Sequence, residues 1–330
     1  MMRKINFYLC FITSCILVQP INAQEKMDAS LTYIHTEKAS FKSRLIQGTA
    51  AIFGVKKYIE KKILSNRLNQ KVTPIPKSIR KKYTITEGII QERTVWTLKP
   101  KQNASKKVVL YLHGGAYYWN ISKYNWSFAD ELIEQTNATV IVPDYPLAPN
   151  ATCEAVYKYM SQLYQQLTTT YDTETISIIG ESAGGGLALG FTMFLRDQNK
   201  PLPYQLILLA PWLDVSMSNP EILDIDKQDK MLGIEGLQLA GKGYAGNLNT
   251  SDYRVSPIHG SLSDLPKISV FVGTHDLFVA DSRKLTHMAH NEGIQLNYYE
   301  YPKMFHIWIL IKKLKEAEEA RKQIVTLILE

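Results

Sequence analysis

Cysteine is scarce: three in 330 residues, at Cys10, Cys15 and Cys153. The first two fall in an N-terminal segment expected to be removed. Cys153 is then alone, which excludes an intramolecular disulfide in the remainder. It reads as a buried bystander thiol. Apolar runs are short as well. The stretch from Ile5 to Val18 is broken by Asn6, Thr13 and Ser14 and falls below the roughly 20 residues of a membrane span. There is no internal repeat, no low-complexity tract, no metal-ligand spacing and no P-loop. The glycine-rich "GGGLALG" from Gly184 lacks both the placement and the acidic partner of a dinucleotide fingerprint. No metal and no cofactor is therefore expected. Acidic residues are outnumbered, 31 against 38 Lys and Arg, for a formal charge of +7. The basic clusters at Lys56-Lys57, Lys61-Lys62 and Arg80-Lys81-Lys82 read as solvated faces, with no nucleic-acid module around them.

What is present is an ordinary globular composition, 45% hydrophobic and 21% charged. Arg3 and Lys4 precede the Ile5–Val18 run, and Pro20 and "INAQ" follow it. A basic start, an apolar middle and a small residue at the end describe a secretory signal over residues 1–23, cleaved after Ala23. Loss of its two basic residues leaves the mature chain at +5. "ITSC", ending at Cys15, is similar to a lipobox, but the apolar "ILV" after it disfavours acylation and anchoring there. The expected product is an exported protein with no stable membrane span.

Residues 24 to about 72 read as helical, and "TPIPKS" from Thr73 ends that pattern. "YTITEGIIQERTVWTL" from Tyr83 reads as a strand pair. Strands and helices then alternate: strands at Lys107–Leu112, Thr139–Val142, Ile176–Ile179, Gln205–Leu209, Lys267–Val272 and Gln295–Tyr299, and helices at Ser127–Gln135, Glu154–Leu167, Ala183–Arg196, Asp281–Asn291 and from Phe305 onward. That alternation predicts an α/β fold, a mostly parallel sheet with helices on both faces. Residues 215–255 hold no clear strand and read as an insertion above the sheet.

The chemistry concentrates at "GESAGG", Gly180 to Gly185. A G-x-S-x-G sequence between a strand and a helix is the context of a nucleophile elbow. Small neighbours let strand and helix approach closely, and the sharp turn lifts the Ser182 hydroxyl out of the sheet edge. A serine needs a base, and the base an orienting acid. In such folds the chain order is serine, acid, histidine. Asp276 follows the strand "ISVFVG" and His306 follows "QLNYYE"; both fall near C-terminal strand ends, where sites in open α/β sheets form. Asp281 competes as the acid but is expected to cap the next helix. "HGGA" from His113 leaves the Lys107–Leu112 strand, so Gly114, Gly115 and the amide of Ala183 are expected to form an oxyanion hole. His113 is expected to hold that loop by hydrogen bonding.

These segments together resemble the hormone-sensitive-lipase-like family of α/β-hydrolases. The family's His-Gly-Gly-Gly loop is "HGGA" here, its Gly-Asp-Ser-Ala-Gly-Gly elbow is "GESAGG", and its Tyr-Arg-Leu-Ala-Pro-Glu segment is "YPLAPN" at Tyr145. "GTHDLF" and "PKMFH" look like its acid and histidine segments. The resemblance covers about Val108 to His306. Ala116, Glu181, Pro146 and Asn150 depart from the family pattern. The resemblance implies the α/β-hydrolase fold, a helical cap formed by about residues 24–75 and 215–255, and carboxylesterase activity on small to medium acyl esters. Phe53, Leu232, Leu237 and Tyr244 are expected to line a closed pocket, with Tyr117, Tyr118 and Trp119 supplying part of the wall. Two other readings stay open: a small-molecule binding protein on the same fold, and an amidase or peptidase using the same three residues. The presence of Ser182, Asp276 and His306 together argues for catalysis over mere binding.

Overall fold

A computed structural model describes residues 30–65 and 70–330. The expected signal segment, with Cys10, Cys15 and the cleavage site, lies outside the described residues. In chain order the elements are β1 (Thr32–Ile34), α1 (Phe41–Ile52), α2 (Val55–Leu64), α3 (Lys77–Lys82), β2 (Tyr83–Ile90), β3 (Arg93–Pro100) and β4 (Val108–Leu112). There follow α4 (Lys123–Thr136), β5 (Thr139–Pro143), α5 (Cys153–Thr170), β6 (Ile176–Glu181), α6 (Ala183–Asp197) and β7 (Gln205–Leu209). The chain closes with α7 (Ile222–Ile225), α8 (Ile234–Ala245), β8 (Lys267–His275), α9 (Val279–Asn291), β9 (Leu296–Phe305) and α10 (Lys315–Leu329).

Nine strands form one sheet in the order β1-β9-β8-β7-β6-β4-β5-β3-β2. The β2–β3 and β3–β5 pairs are antiparallel, and the remaining pairs are parallel. This is the mostly parallel α/β sheet that the alternating pattern predicts, in the α/β-hydrolase arrangement that the resemblance implies. All five residues of β4, "VVLYL", are buried. Side chains alternate across a strand, so Val108, Leu110 and Leu112 enter the core on one face and Val109 and Tyr111 the core on the other. A strand with both sides covered has no polar face to show, which is why it reads as an unbroken apolar run.

The structure corrects three expectations. The helical reading of residues 24–72 misses β1, which pairs parallel with β9, Thr32 opposite Tyr298. Three residues are too few to show a period, and the strand exists because the β9 edge offers unpaired backbone groups. The strand expected to end at Tyr299 runs to Phe305, so the last helix begins at Lys315 and not at Phe305. Residues between them form a short 3-10 turn, Trp308–Leu310, after Ile307 at φ 50°. Asp281 does not cap the next helix. It lies in the first turn of α9, buried, and accepts from Asn219 Nδ2 at 2.9 Å.

Residues 215–255 contain α7 and α8 and no strand. Helix α2 packs on α8. Among the described residues no helix is long and apolar enough to cross a membrane.

Candidate active site

Strand β6 ends at Glu181 and α6 begins at Ala183, so Ser182 alone makes the turn, at φ 52°, ψ −121°. A positive φ at a non-glycine residue is strained and persists only where neighbours enforce it. They do so tightly. Ser182 N–H donates to Leu209 O at 2.9 Å, and Ser182 O accepts from Trp212 N at 2.9 Å. A Cβ placed on Gly180 would lie 2.2 Å from Gly184 O, and one on Gly184 would lie 2.2 Å from Leu112 O. Glycine at these two positions is thus a steric requirement of the strand–helix contact.

His306 follows β9 directly and Asp276 follows β8 directly. His306 Nδ1 lies 2.9 Å from Asp276 Oδ2, and Nε2 lies 3.0 Å from Ser182 Oγ. A carboxylate can only accept, so Nδ1 carries the proton and Nε2 is left to accept from the serine hydroxyl. All three side chains are buried: Asp276 at 0% exposure, Ser182 and His306 at 6% each. Asp276 Oδ1 accepts from Phe278 N–H at 3.0 Å, and the Phe278 ring meets the His306 imidazole edge-on. Burial alone pushes the His306 imidazolium down, but the Asp276 charge and hydrogen bond outweigh it, and the net direction is upward from 6.5.

The loop after β4 is held from two sides. His113 Nδ1–H donates to Gly114 O at 2.7 Å, and its ring stacks on Tyr145, whose hydroxyl donates to His113 O at 2.6 Å. Burial lowers the His113 pKa to about 4, so the ring is neutral and structural, as expected. On the other side Gly114 N–H donates to Glu181 Oε1 at 2.9 Å. This corrects the expected role of Gly114, whose N–H is already held by a carboxylate. Gly115 and Ala116 face the cavity beside Ser182, and their N–H groups donate to no protein acceptor among the described residues. The Glu181 carboxylate also accepts from Asn125 Nδ2 at 2.8 Å and from Tyr111 Oη at 3.1 Å. Burial is the larger influence on it and raises its pKa despite these donors. Asn125 is itself fixed by a capping box with Ser122 at the start of α4.

A residue that sequence reasoning missed stands behind Asp276. Asp229 Oδ2 accepts from Leu277 N–H at 3.0 Å, and Oδ1 accepts from Met231 and Leu232 N–H at 2.7 and 2.9 Å. Burial, and then the charge of Asp276, raises its pKa to about 6. No local signal marks it: Met231 and Leu232 are ordinary turn contacts, and the partner that brings it behind Asp276, Leu277, lies 48 positions away.

The cavity over Ser182 has a volume of about 140 Å³ and is lined by Ile59, Glu60 and Ile63 of α2, Leu232, Gly233 and Leu237 of the insertion, and Trp119, Ile307 and the site residues. Leu232, Leu237 and Trp119 stand where the sequence reading put them. Phe53 does not; it sits at the end of α1 and is 80% exposed. Tyr117 and Tyr244 stack on each other with centroids 3.5 Å apart and are packed in the core behind the wall, as is Tyr118. Two larger clefts, about 530 and 490 Å³, lie away from Ser182. Cys153 is buried, and burial pushes its thiol up to about 12, in keeping with an inert bystander. No group of three metal-ligating side chains occurs among the described residues.

Comparison with known proteins agrees with this geometry. Residues 109–310 match the sequence profile of an α/β-hydrolase-fold family. A triacylglycerol lipase of Mycobacterium tuberculosis is 31% identical over 69% of this chain, although the match spans only 47% of that lipase. An esterase of Acinetobacter venetianus is 29% identical over 63% of this chain and 71% of its own length. The crystal structure of an esterase from the bacterial hormone-sensitive lipase family superposes with a TM-score of 0.76 over 89% of this chain and 99% of that one, at 22% identity. By profile, sequence and fold together, this chain belongs to the hormone-sensitive-lipase-like family of α/β-hydrolases.

Proposed function

We propose that this protein is a serine carboxylesterase acting on small to medium acyl esters. The observation that carries the proposal is the unbroken chain from Ser182 Oγ through His306 to Asp276. In the first step Ser182 Oγ attacks the ester carbonyl carbon while His306 Nε2 takes the hydroxyl proton. The tetrahedral intermediate collapses, the carbon–oxygen bond to the alcohol breaks, and the imidazolium returns the proton to the leaving alkoxide. Water then attacks the acyl-enzyme with His306 again as base, which frees the acid and restores Ser182. Asp276 keeps the imidazole in the required tautomer and stabilises it while charged. The developing oxyanion would be met by N–H groups of Gly115 and Ala116 together with Ala183 at the start of α6, where the helix end also favours negative charge.

Relatives named esterase, lipase and acetyl-hydrolase support the ester reading. The cavity supports short acyl groups. It measures about 140 Å³ and is walled largely by apolar side chains, which favours small to medium acyl groups over long ones. The cap role of α2 and α8, and export directed by residues 1–23, belong to the same reading. A fluorophosphonate should label wild-type protein at Ser182, and Ser182→Ala should lose both labelling and turnover of p-nitrophenyl butyrate. Normal turnover by purified Ser182→Ala would sink the proposal, and absence of both labelling and turnover in the wild type would favour a binding protein.

A further inference from the structure

Apart from His306 and Glu181, the cavity over Ser182 is lined by one ionisable side chain among the described residues, Glu60. The Glu181 carboxylate is already engaged by Gly114, Asn125 and Tyr111. Glu60 is different: it reaches in from α2, among Ile59, Ile63, Leu232 and Leu237. Its Oε1 accepts from Gly236 N–H at 3.2 Å, in the first turn of the twelve-residue α8. The positive end of that helix favours an anion there. The position is also built sterically. A Cβ on Gly233 would lie 2.6 Å from Glu60 Oε1, and one on Gly236 would lie 3.2 Å from Glu60 Cα. Glycine at both positions lets α2 approach and brings the carboxylate to the cavity wall. The neighbouring cation on α2, Lys56, is paired with Asp226 at 2.6 Å. Glu60 itself forms no ion pair among the described residues.

We propose that Glu60 is a specificity residue that defines the substrate class: esters that carry no negative charge and bear a hydrogen-bond donor, such as an ammonium group, toward the free end of the acyl chain. An anionic chain end would be held in a small apolar space against a like charge, which is strongly unfavourable. A donor would find an acceptor already oriented by the α8 N-terminus. This inference rests on the esterase reading and narrows it.

The test compares kcat/KM for three methyl esters of similar length: methyl pentanoate, monomethyl glutarate and methyl 5-aminopentanoate, at pH 7.5. Wild type should disfavour the glutarate against the pentanoate by about 100-fold or more and accept the amino ester at least as well as the pentanoate. Glu60→Gln should narrow the glutarate penalty relative to methyl pentanoate to about 10-fold or less and lower the amino ester relative to methyl pentanoate about 10-fold. Glu60→Asp, which keeps the charge, should keep the discrimination. Unchanged ratios in Glu60→Gln, or an equal loss on all three esters, would overturn the proposal and reduce Glu60 to a clip between two helices. Methyl pentanoate turnover and Ser182 labelling in wild type test the esterase reading separately.

Discussion

At the scale of single residues, the proton inventory of the site is its most testable property. His306 must be neutral to accept from Ser182, and its pKa is raised above 6.5: burial opposes this, but Asp276 prevails. Activity should therefore be lost as pH falls through a single ionisation lying above about 6.5, and stay high into mildly alkaline solution. Asp276→Asn removes the opposing charge and leaves burial, which favours the neutral ring. Its acid limb should move to lower pH while kcat falls by several orders of magnitude. Asp229 also holds the His306 pKa up, from further away. Asp229→Asn should shift the limb in the same direction by less, with a far smaller loss of kcat. A kcat/KM profile from pH 5 to 9 for the three proteins checks this, and an upward shift in either variant would contradict the charge assignment. His306→Ala and Ser182→Ala should each cost about 10⁴-fold or more in kcat, and the double variant should add little, because the residues act as a unit.

At the scale of elements, the elbow is a packing problem before it is a catalytic one. Strand β6, α6 and the loop after β4 meet where only glycine fits, with Leu112 O, Gly184 O and Trp212 O all within 2.2 Å of where a Cβ on Gly184, Gly180 or Gly186 would stand. Gly180→Ala should cost about 3 kcal/mol or more by overpacking against backbone, and it should displace Ser182. Thermal unfolding together with fluorophosphonate labelling would show it: a stable variant with normal labelling would mean that the strand and helix can part without disturbing the turn. Helix α1 is tied to the far end of the chain in a comparable way. Ser40 N–H donates to Glu316 Oε1 at 2.6 Å, and Gln47 Nε2 donates to Lys303 O at 2.8 Å. The segment before α2 is therefore part of the domain's own packing. Deletion of residues 24–60 should strip β1 from the β9 edge and lower stability, as well as opening the cavity. A truncated protein that melts like wild type would argue against that.

At the scale of the whole molecule, the substrate space is enclosed by segments from three distant parts of the chain: the loop after β4, α2 and the insertion between β7 and β8. A bounded apolar cavity rewards each added methylene by roughly 0.8 kcal/mol until it is full. Turnover should rise to short chains of about four carbons and then fall. Leu237, 3% exposed on α8 and lining the cavity, is the side chain whose truncation should move that limit. Leu237→Ala should shift the optimum toward longer chains and destabilise the protein by about 2–5 kcal/mol. The measurement is kcat/KM across p-nitrophenyl esters of two to twelve carbons. Strong hydrolysis of long-chain triglyceride emulsions by the wild type would contradict a closed cavity.

The sequence by itself determined the layers and singled out Ser182, Asp276 and His306. Buried parallel strands must be apolar on both sides, so β4, β6 and β7 stand out as short runs. A strand-to-helix turn made by a single serine demands small neighbours, so Ser182 is marked locally by its glycines. The order serine, acid, histidine then places Asp276 and His306 at strand ends. The tertiary structure decided everything that depends on which distant segments meet. Three residues of β1 become a strand because β9 leaves an edge. Gly114 donates inward because Glu181, reached only through the elbow, lies opposite it. Asp281 is buried beside Asn219 instead of capping. Phe53 points to solvent while Ile59 and Glu60, on the next helix, line the cavity. Asp229 and Glu60 carry no local pattern at all: a lone carboxylate in a polar-looking stretch acquires a role only from what folds against it. Local sterics and hydrophobic period act over a few residues and can be read along the chain, whereas electrostatic and packing partners are chosen by the closed fold.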